Sequence, residues 1–284
     1  MDFESSQIQV AKRLAAFASV YQNAYISDVY FKRQFENNYI ALECFLENYA
    51  YERQGSAQAY PVIARQTIEK VFQGRLETVN SDQSTKAWAI YSEIAPRDYN
   101  GLKTNPLRNP MNSDYGVLTA MARQKISNIA NHVRVLIKDG NTKTAHTFID
   151  DIRGIGTKIA SFYIRDIAYL GDLDESQIKD QFYLQPLDTW LDQTYSILMK
   201  PEKRATLEEK QKTLVDLCKQ AGCSPIGFNQ GAWIVGSKIA GEYGTFKKIA
   251  FGEAESKAII KSYLEEQRGF ISEIEKVIDK IYQA

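Results

Sequence analysis

Apolar residues recur along most of the chain at the three- and four-residue spacing that is typical of amphipathic helices. No stretch shows the strict two-residue alternation of a half-buried strand, and no internal repeat is present. The predicted fold class is therefore all-α. The pattern predicts two helices within residues 3–54, and further helices over Ala59–Phe72, around Trp88 with Ser84 as cap, from Ser113 or Asp114 to Lys138, up to Ile152, from Thr157, and over Thr189–Met199, Leu207–Ala221, 230–240 and 253–282.

The clearest interruption of this pattern lies at residues 95–113. This stretch contains Pro96, Pro106, Pro110 and Gly101, which disfavour continuous helix. It is predicted to be a linker or a long ordered loop.

Composition narrows the function classes. The chain has 284 residues, of which 44% are apolar and 25% charged, as in ordinary globular proteins. No apolar run reaches membrane-spanning length, and the N-terminus lacks an apolar signal segment. We therefore expect a cytoplasmic, non-secreted protein. A net charge of zero argues against nonspecific coating of nucleic acid, because such proteins are usually basic.

Candidate metal ligands are sparse. His132 and His146 are the only histidines, and neither has a partner at ligand spacing. Cys218 and Cys223 lack the further thiolates that a zinc or iron–sulfur site needs, and with Cys44 they make an odd number, which fits a reducing compartment. No phosphate-binding nucleotide motif occurs. No cofactor is expected.

A glycine hairpin between two helical segments carries the most chemical information. Arg153, Gly154, Ile155 and Gly156 connect a helix ending at Ile152 to one starting at Thr157. Glycines permit a tight turn and leave amide groups uncovered, and Ile155 can plug the junction. These amides, with the first amides of the next helix, suit one phosphate, and Arg153 and Thr157 supply further donors. Most such turns only connect helices.

Lys158 lies in the first turn of the second helix. The helix dipole disfavours a cation there, which favours the neutral amine that nucleophilic lysine chemistry needs. Phe162 and Arg165 are predicted to share with Lys158 the edge of the apolar stripe, facing a cleft. The alternative is a solvated surface lysine. The residues predicted to face the core are Ile159, Ala160, Tyr163, Ile164, Ile167 and Ala168.

Asp188 follows Lys158 by thirty positions, within Pro186-Leu187-Asp188-Thr189. An aspartate that opens a helix is commonly a structural N-cap. A carboxylate held ionised there can instead stabilise a sugar cation or accept a proton from a nucleophile.

The run from Ile152 to Ala160 resembles the hairpin signature L-P-G-[IV]-G-x-K-x-A of the helix-hairpin-helix (HhH-GPD) DNA glycosylases, and Pro186 and Asp188 resemble the Gly/Pro loop and aspartate of that superfamily. The specific resemblance covers about 50 residues. It implies a two-lobed helical fold with a cleft between the lobes. The implied helical subdomain is residues 1–100, completed by helices in 200–284, and the implied helix-hairpin-helix subdomain is residues 101–199.

The resemblance also implies an activity. Lys158 would be the Schiff-base nucleophile of a base-excision-repair glycosylase with AP lyase activity, and Asp188 its essential partner. Residues Arg153, Gly154, Ile155, Gly156 and Thr157 would bind the backbone of double-stranded DNA, with no membrane and no obligate protein partner implied. A monovalent cation at the hairpin stays open.

Three departures distinguish this chain from the family pattern. Arg153 replaces the usual proline, and Trp190 stands where a histidine often follows the aspartate. An insert at residues 171–185 lengthens the interval to Asp188, which brings it closer to that of the archaeal 8-oxoguanine (AGOG-type) glycosylases. The resemblance therefore favours 8-oxoguanine as the excised base.

Residues for a flipped base are less well defined by sequence. Trp88, and Trp233 after a loop at residues 227–231, are candidates for stacking on the base, and both can equally be core residues. Gln34, Asn37 and Asn38 are conceivable readers of base edges. Two other functions stay open: a monofunctional glycosylase for another modified base, and a noncatalytic helix-hairpin-helix DNA-binding protein.

Overall fold

The computed structural model describes residues 2–51, 59–95, 105–108, 115–199 and 205–282. Within these ranges the chain forms helices and turns and no strand, apart from an isolated parallel bridge between Tyr115 and Ile152. The all-α prediction is confirmed. No helix in the described ranges combines the length and the apolar character needed to cross a membrane.

The chain divides into two compact units. The terminal unit contains residues 1–21 and 189–284, and the central unit contains residues 22–188. Residues 22–100 thus fall in the same unit as the hairpin. The two subdomains that the family resemblance implies stay a prediction.

The central unit is built from short helices. Its α-helices are Val29–Arg33, Asn38–Phe45, Ala59–Phe72, Ser81–Ile94, Val117–Gln124, Ile129–Lys138, Thr142–Asp150 and Thr157–Leu170. Gln22–Ile26 and Leu46–Ala50 are π-helical, and Glu175–Gln177 and Gln181–Leu184 are 3-10 turns. Ala59–Phe72 has the predicted bounds.

The prediction of only two helices in residues 3–54 is wrong. The Asp28 side chain accepts a hydrogen bond from the backbone N–H of Tyr30, and the Asn37 side chain accepts one from that of Ile40. Each such N-cap starts a new helix, because its side chain accepts a hydrogen bond from a first-turn N–H. In a continuous helix that N–H would instead donate to a backbone carbonyl of the preceding turn. Residues 52–58, where the second of these helices was expected to end, lie outside the described residues.

The single helix predicted to end at Lys138 is also wrong. Lys125 has a left-handed φ of 55°, which ends the helix Val117–Gln124. The Asn128 side chain then accepts from the Asn131 backbone N–H and starts Ile129–Lys138. The predicted start of the helix lies outside the described residues.

Ser84 is not a helix cap. The helix around Trp88 begins at Ser81, where the Asn80 side chain and Gln83 form a reciprocal capping box. The Ser84 hydroxyl instead shares a 2.8 Å hydrogen bond with that of Thr119. Of the predicted linker at 95–113, only residue 95 and the turn at 105–108 are described.

The terminal unit contains the helices Ser5–Ala16, Ala18–Tyr21, Thr189–Met199, Leu207–Ala221, Pro225–Ile234, Tyr243–Phe251 and Ser256–Tyr282, with a π-helical stretch Val235–Ala240. Thr189–Met199 and Leu207–Ala221 have their predicted bounds. The helix predicted over 230–240 begins earlier, because the Ser224 side chain accepts from the Gly227 N–H and Pro225 occupies the first turn. Tyr243–Phe251 was not predicted.

Close approaches at two glycines hold the terminal unit together. A Cβ placed on Gly231 would lie 1.8 Å from the Leu14 carbonyl oxygen, so the two helices pack backbone to backbone. A Cβ on Gly236 would lie 2.2 Å from the Trp190 ring, which also packs against Phe246 at a centroid distance of 5.3 Å. Trp190 is therefore a packing residue of this unit.

Candidate functional site

The hairpin joins two helices of the central unit. The first hairpin helix, Thr142–Asp150, ends two residues before the predicted end, and Ile152 forms the isolated bridge. The Arg153 N–H donates to the Tyr115 carbonyl at 2.7 Å, and the Ile155 N–H donates to the Ile152 carbonyl at 2.8 Å. The second hairpin helix then runs over Thr157–Leu170.

The two hairpin glycines have different reasons to be glycine. Gly154 has a φ of +75°, a left-handed conformation that glycine adopts without steric penalty. Gly156 has a φ of −124°, which any residue adopts, and a Cβ placed there would meet no atom within 4 Å. Ile155 is buried beneath the turn, as predicted. The turn therefore requires glycine at 154, whereas no steric feature requires it at 156.

Backbone donors are available on the outer side of the hairpin. No backbone carbonyl of a described residue accepts a hydrogen bond from the Gly156 N–H, and Gly156 is exposed. The first amides of the helix that follows lack an intrahelical acceptor by geometry. The positive end of this helix is thus open to an anion of about phosphate size.

A depression of about 430 Å³ lies against the same turn. It is lined by Tyr115 and residues 150–155, including the carboxylates of Asp150 and Asp151. The Thr157 hydroxyl, predicted to help bind phosphate, donates to Asp150 at 3.4 Å. Carboxylates beside the amides oppose an anion, so the charge around the turn is mixed. Sequence reasoning missed Tyr115 and Asp150 because neither belongs to the hairpin motif.

Lys158 is exposed on the second hairpin helix. Phe162 is half-buried, but Arg165, predicted beside Lys158 at a cleft, is fully buried and pairs with Asp166 at 2.8 Å. The Asp166 carboxylate also accepts from the Tyr49 hydroxyl, which satisfies the buried charge. The predicted core stripe is confirmed for Ala160, Tyr163, Ile164, Ile167 and Ala168, whereas Ile159 is only half-buried.

The insert at residues 171–185 packs along the first hairpin helix. The Thr142 hydroxyl donates to the Lys179 carbonyl at 2.7 Å. One helical turn later, the His146 ring lies 5.0 Å from the ring of Tyr183. Because Thr142 pairs with Lys179 and His146 with Tyr183, insert and helix run in the same direction, toward the hairpin.

Asp188 follows the insert at the end of the central unit. It is half-exposed and directly precedes Thr189–Met199, and its N–H donates to the Pro186 carbonyl at 3.0 Å. Five residues of chain span at most about 18 Å, so Asp188 stays within that distance of Tyr183. The structure therefore brings the segment before Asp188 onto the helix pair whose second member carries Lys158.

Trp88 is one end of an aromatic stack in the central unit. Its half-buried ring stacks on Tyr91 at 6.0 Å with an angle of 12°, and Tyr91 stacks on Tyr51 at 5.9 Å. The guanidinium carbon of Arg108 lies 5.8 Å from the Trp88 ring. Contacts with Tyr91 and Arg108 thus orient the Trp88 ring, which stays partly exposed.

Trp233 belongs to the terminal unit. The predicted loop before it is wrong, because residues 227–231 are helical. Its half-buried ring meets Tyr21 edge-on at 5.6 Å, and the Lys238 ammonium lies 5.4 Å from the ring centroid. Trp88 and Trp233 therefore lie in separate units.

The three amide side chains considered as base readers have structural contacts instead. Gln34 is fully buried, and its amide donates to the Phe31 carbonyl at 2.7 Å. Asn37 caps a helix, and the Asn38 amide donates to the Leu76 carbonyl at 2.9 Å. The structure gives no support for base reading by these residues.

Metal-ligand chemistry is also limited. Across the described ranges, no group of three or more His, Cys, Asp or Glu side chains is arranged to hold a metal ion. Cys44 and Cys218 are buried, and burial raises the pKa of the Cys44 thiol to about 12.

Comparison with known proteins adds no relative to this description. No family model, no curated protein and no solved structure matches the chain. The functional interpretation rests on the hairpin geometry and on the resemblance of its residues to the glycosylase signature.

Proposed function

We propose that the protein is a base-excision-repair DNA glycosylase with AP lyase activity. The observation that carries the proposal is the open face of the hairpin, where the exposed Gly156, whose N–H donates to no described backbone carbonyl, is close in sequence to the exposed Lys158. Packing accounts for neither the glycine nor the exposed amides. A DNA phosphate has the size and the charge for them.

The hairpin would hold the DNA backbone without reading its sequence. Gly156 and the amides at the start of the second hairpin helix would donate to one phosphate, and Arg153 would add a cation. Close approach of a phosphate oxygen requires open space at Gly156, which the turn provides.

The reaction would use Lys158 and Asp188. The target nucleotide leaves the stack, because C1′ is unreachable inside the duplex. The nitrogen lone pair of Lys158 forms a bond to C1′ as the bond to the base breaks and the base departs with the electron pair. Asp188 stabilises the positive charge that develops on the sugar. Loss of a proton and opening of the sugar ring give the Schiff base, and β-elimination then breaks the strand.

The damaged base is proposed to be 8-oxoguanine, on the resemblance to the AGOG-type enzymes. Trp88 is the better supported stacking residue of the two candidates, because it belongs to the same unit as the hairpin, whereas Trp233 belongs to the other unit. The two-lobed HhH-GPD architecture with a cleft stays a prediction.

A noncatalytic helix-hairpin-helix DNA-binding protein is the second candidate. Lys158 is exposed, as a lysine that only contacts a phosphate would be. In that function the hairpin glycines matter and Asp188 does not. A monofunctional glycosylase would need Asp188 and tolerate loss of the Lys158 amine.

Borohydride trapping separates these functions. Duplexes with 8-oxoguanine, an oxidised pyrimidine or an abasic site would be incubated with protein and reduced, and the covalent adduct measured. Lys158→Gln and Asp188→Asn are compared with Lys143→Gln, which removes an exposed lysine from the first hairpin helix.

We expect an adduct with wild type and Lys143→Gln, none with Lys158→Gln, and a rate lowered by roughly two to four orders of magnitude in Asp188→Asn. Base excision that persists in Lys158→Gln would indicate the monofunctional enzyme. Tight duplex binding with no excision and no adduct on any substrate would indicate the noncatalytic protein.

A further inference from the structure

A buried histidine connects the two hairpin helices. His146, on the first hairpin helix, is only 5% exposed. Its Nε2 lies 3.3 Å from the Thr157 carbonyl oxygen and 3.2 Å from the Ser161 hydroxyl. A carbonyl only accepts, so the contact to Thr157 requires a hydrogen on Nε2. Thr157 directly precedes Lys158, so the histidine is bonded to the turn that carries the proposed nucleophile.

The same ring contacts the segment that leads to Asp188. The rings of His146 and Tyr183 are 5.0 Å apart, and Tyr183 lies five residues before Asp188. The 3-10 turn Gln181–Leu184, which contains Tyr183, also packs on both hairpin helices. His146 is therefore shared by the two segments that carry the proposed catalytic pair.

Such a contact matters because the pair is far apart in sequence. A nucleophile and its carboxylate must be held within about 0.5 Å of a productive geometry, by neighbours whose own side chains are locked. The helix that carries Lys158 packs on the 3-10 turn that precedes Asp188. The buried His146 ring adds a hydrogen bond to the first of these segments and an aromatic contact to the second, which fixes their register more tightly than packing alone.

We propose that His146 is a positioning residue, which holds the Lys158 turn in register with the segment before Asp188. The inference rests on the proposed function. Burial lowers the pKa of His146, which favours the neutral ring that carries its hydrogen on Nε2. In this role His146 acts through its contacts with Thr157 and Tyr183.

Substitutions of His146 test the inference. His146→Leu removes the Nε2 donor, whereas His146→Gln places an amide donor at about the same reach. His132→Leu is the matched control, because this half-buried ring packs on Phe148 at 4.9 Å in the same unit. Single-turnover adduct formation on an abasic duplex, affinity for undamaged duplex and the melting temperature are measured for each.

We expect the rate of adduct formation in His146→Leu to fall on the order of tenfold or more, with unchanged affinity. His146→Gln should recover most of the rate, and His132→Leu should keep all of it. A wild-type rate in His146→Leu overturns the inference, as does a loss in both His146 variants that follows their melting temperatures.

Should His146→Leu fail to fold, His146→Asn replaces it, because the shorter amide does not reach Thr157. Equal rates in His146→Asn and His146→Gln would then overturn the inference. An inactive wild type would remove the proposed function and the inference together, whereas an active wild type with an indifferent His146 removes only the inference.

Discussion

Glycines have opposite surroundings in the hairpin and in the helix pair of the terminal unit. At Gly231 the space that a Cβ would take is filled by the Leu14 backbone, 1.8 Å away. At Gly156, by contrast, no atom lies within 4 Å of the position that a Cβ would take. Both glycines adopt backbone angles that other residues reach, so backbone conformation does not explain either one.

The difference separates glycines that serve packing from one that packing does not explain. Gly231 lets two helices of the terminal unit approach, and that unit loses a contact if the residue changes. Gly156 leaves backbone donors uncovered at a helix N-terminus, an arrangement that suits an external anion. Substituting each glycine should therefore affect different properties.

Gly231→Ala is expected to produce the largest effect. The added methyl meets a backbone carbonyl, which cannot rotate away, so the helices must separate. We expect the free energy of unfolding to fall by about 3 kcal/mol or more, measured by urea denaturation. Gly244→Ala is the control, since its nearest atom is a flexible Glu242 oxygen at 4.0 Å. A Gly231→Ala protein as stable as this control would contradict the packing role.

Gly154→Ala should have the next largest effect on stability. Its φ of +75° places an alanine in the left-handed region, at a penalty of about 1–2 kcal/mol. Gly154→Asn should lose less, because asparagine tolerates this region better. Thermal unfolding of the two variants checks the order. Equal losses would show that the conformation of the turn is not what requires glycine.

Gly156→Ala should separate binding from stability. We expect stability to be unchanged or higher by about 0.4–1 kcal/mol, because alanine adopts the local angles and restricts the unfolded chain. Affinity for duplex DNA should fall roughly tenfold, because the added methyl group would occupy the space that a phosphate oxygen needs. The loss corresponds to about one hydrogen bond to a charged group. Fluorescence anisotropy with a labelled duplex measures it.

The matched control for Gly156→Ala is Gly269→Ala, another exposed glycine with no atom within 4 Å of a built Cβ. Equal duplex affinity of both variants and wild type would mean that no phosphate approaches Gly156. The proposed function would then lose the binding site on which it is based.

Sequence reasoning predicted the helices whose apolar pattern ends at strong signals. Leu207–Ala221 ends at Gly222, which has a left-handed φ of 65°. It failed where a polar side chain starts a new helix inside a continuous apolar pattern, as at Asp28 and Asn37. Local capping hydrogen bonds override the periodicity there. In the sequence alone, an aspartate or asparagine at such a position is equally consistent with the exposed face of a continuous helix.

The candidate site was predictable only as far as its motif extends. The motif and its resemblance to the glycosylase signature singled out Gly154, Lys158 and Asp188 as candidates, and their roles stay predictions. The motif could not identify the contact of Tyr115 with Arg153, or that of His146 with Tyr183, because both join residues that are distant in sequence. The sequence also placed Arg165 at a cleft. Its burial depends on Asp166 and Tyr49, a partnership that periodicity does not report.

Acid should weaken the hairpin region before the helix pair of the terminal unit, and this is the smallest expected effect. Burial lowers the pKa of His146 below the unfolded value of about 6.5, so stability is full above that pH and declines as pH falls through it. Glu47 acts in the opposite direction, because burial raises the pKa of its carboxyl. The Asp150 carboxylate, which faces His146, makes the lowering of the His146 pKa smaller.

The difference in pH response between wild type and His146→Gln isolates the contribution of the histidine. Amide hydrogen exchange at pH 7.5 and 5.5 should show faster exchange at acid pH in Thr142–Asp150 of wild type, after correction for intrinsic rates, and a smaller change in the variant. Pro225–Ile234 should change equally in both proteins, since both histidines lie in the central unit. An identical pH response of Thr142–Asp150 in the two proteins would show that His146 is not the group that titrates there.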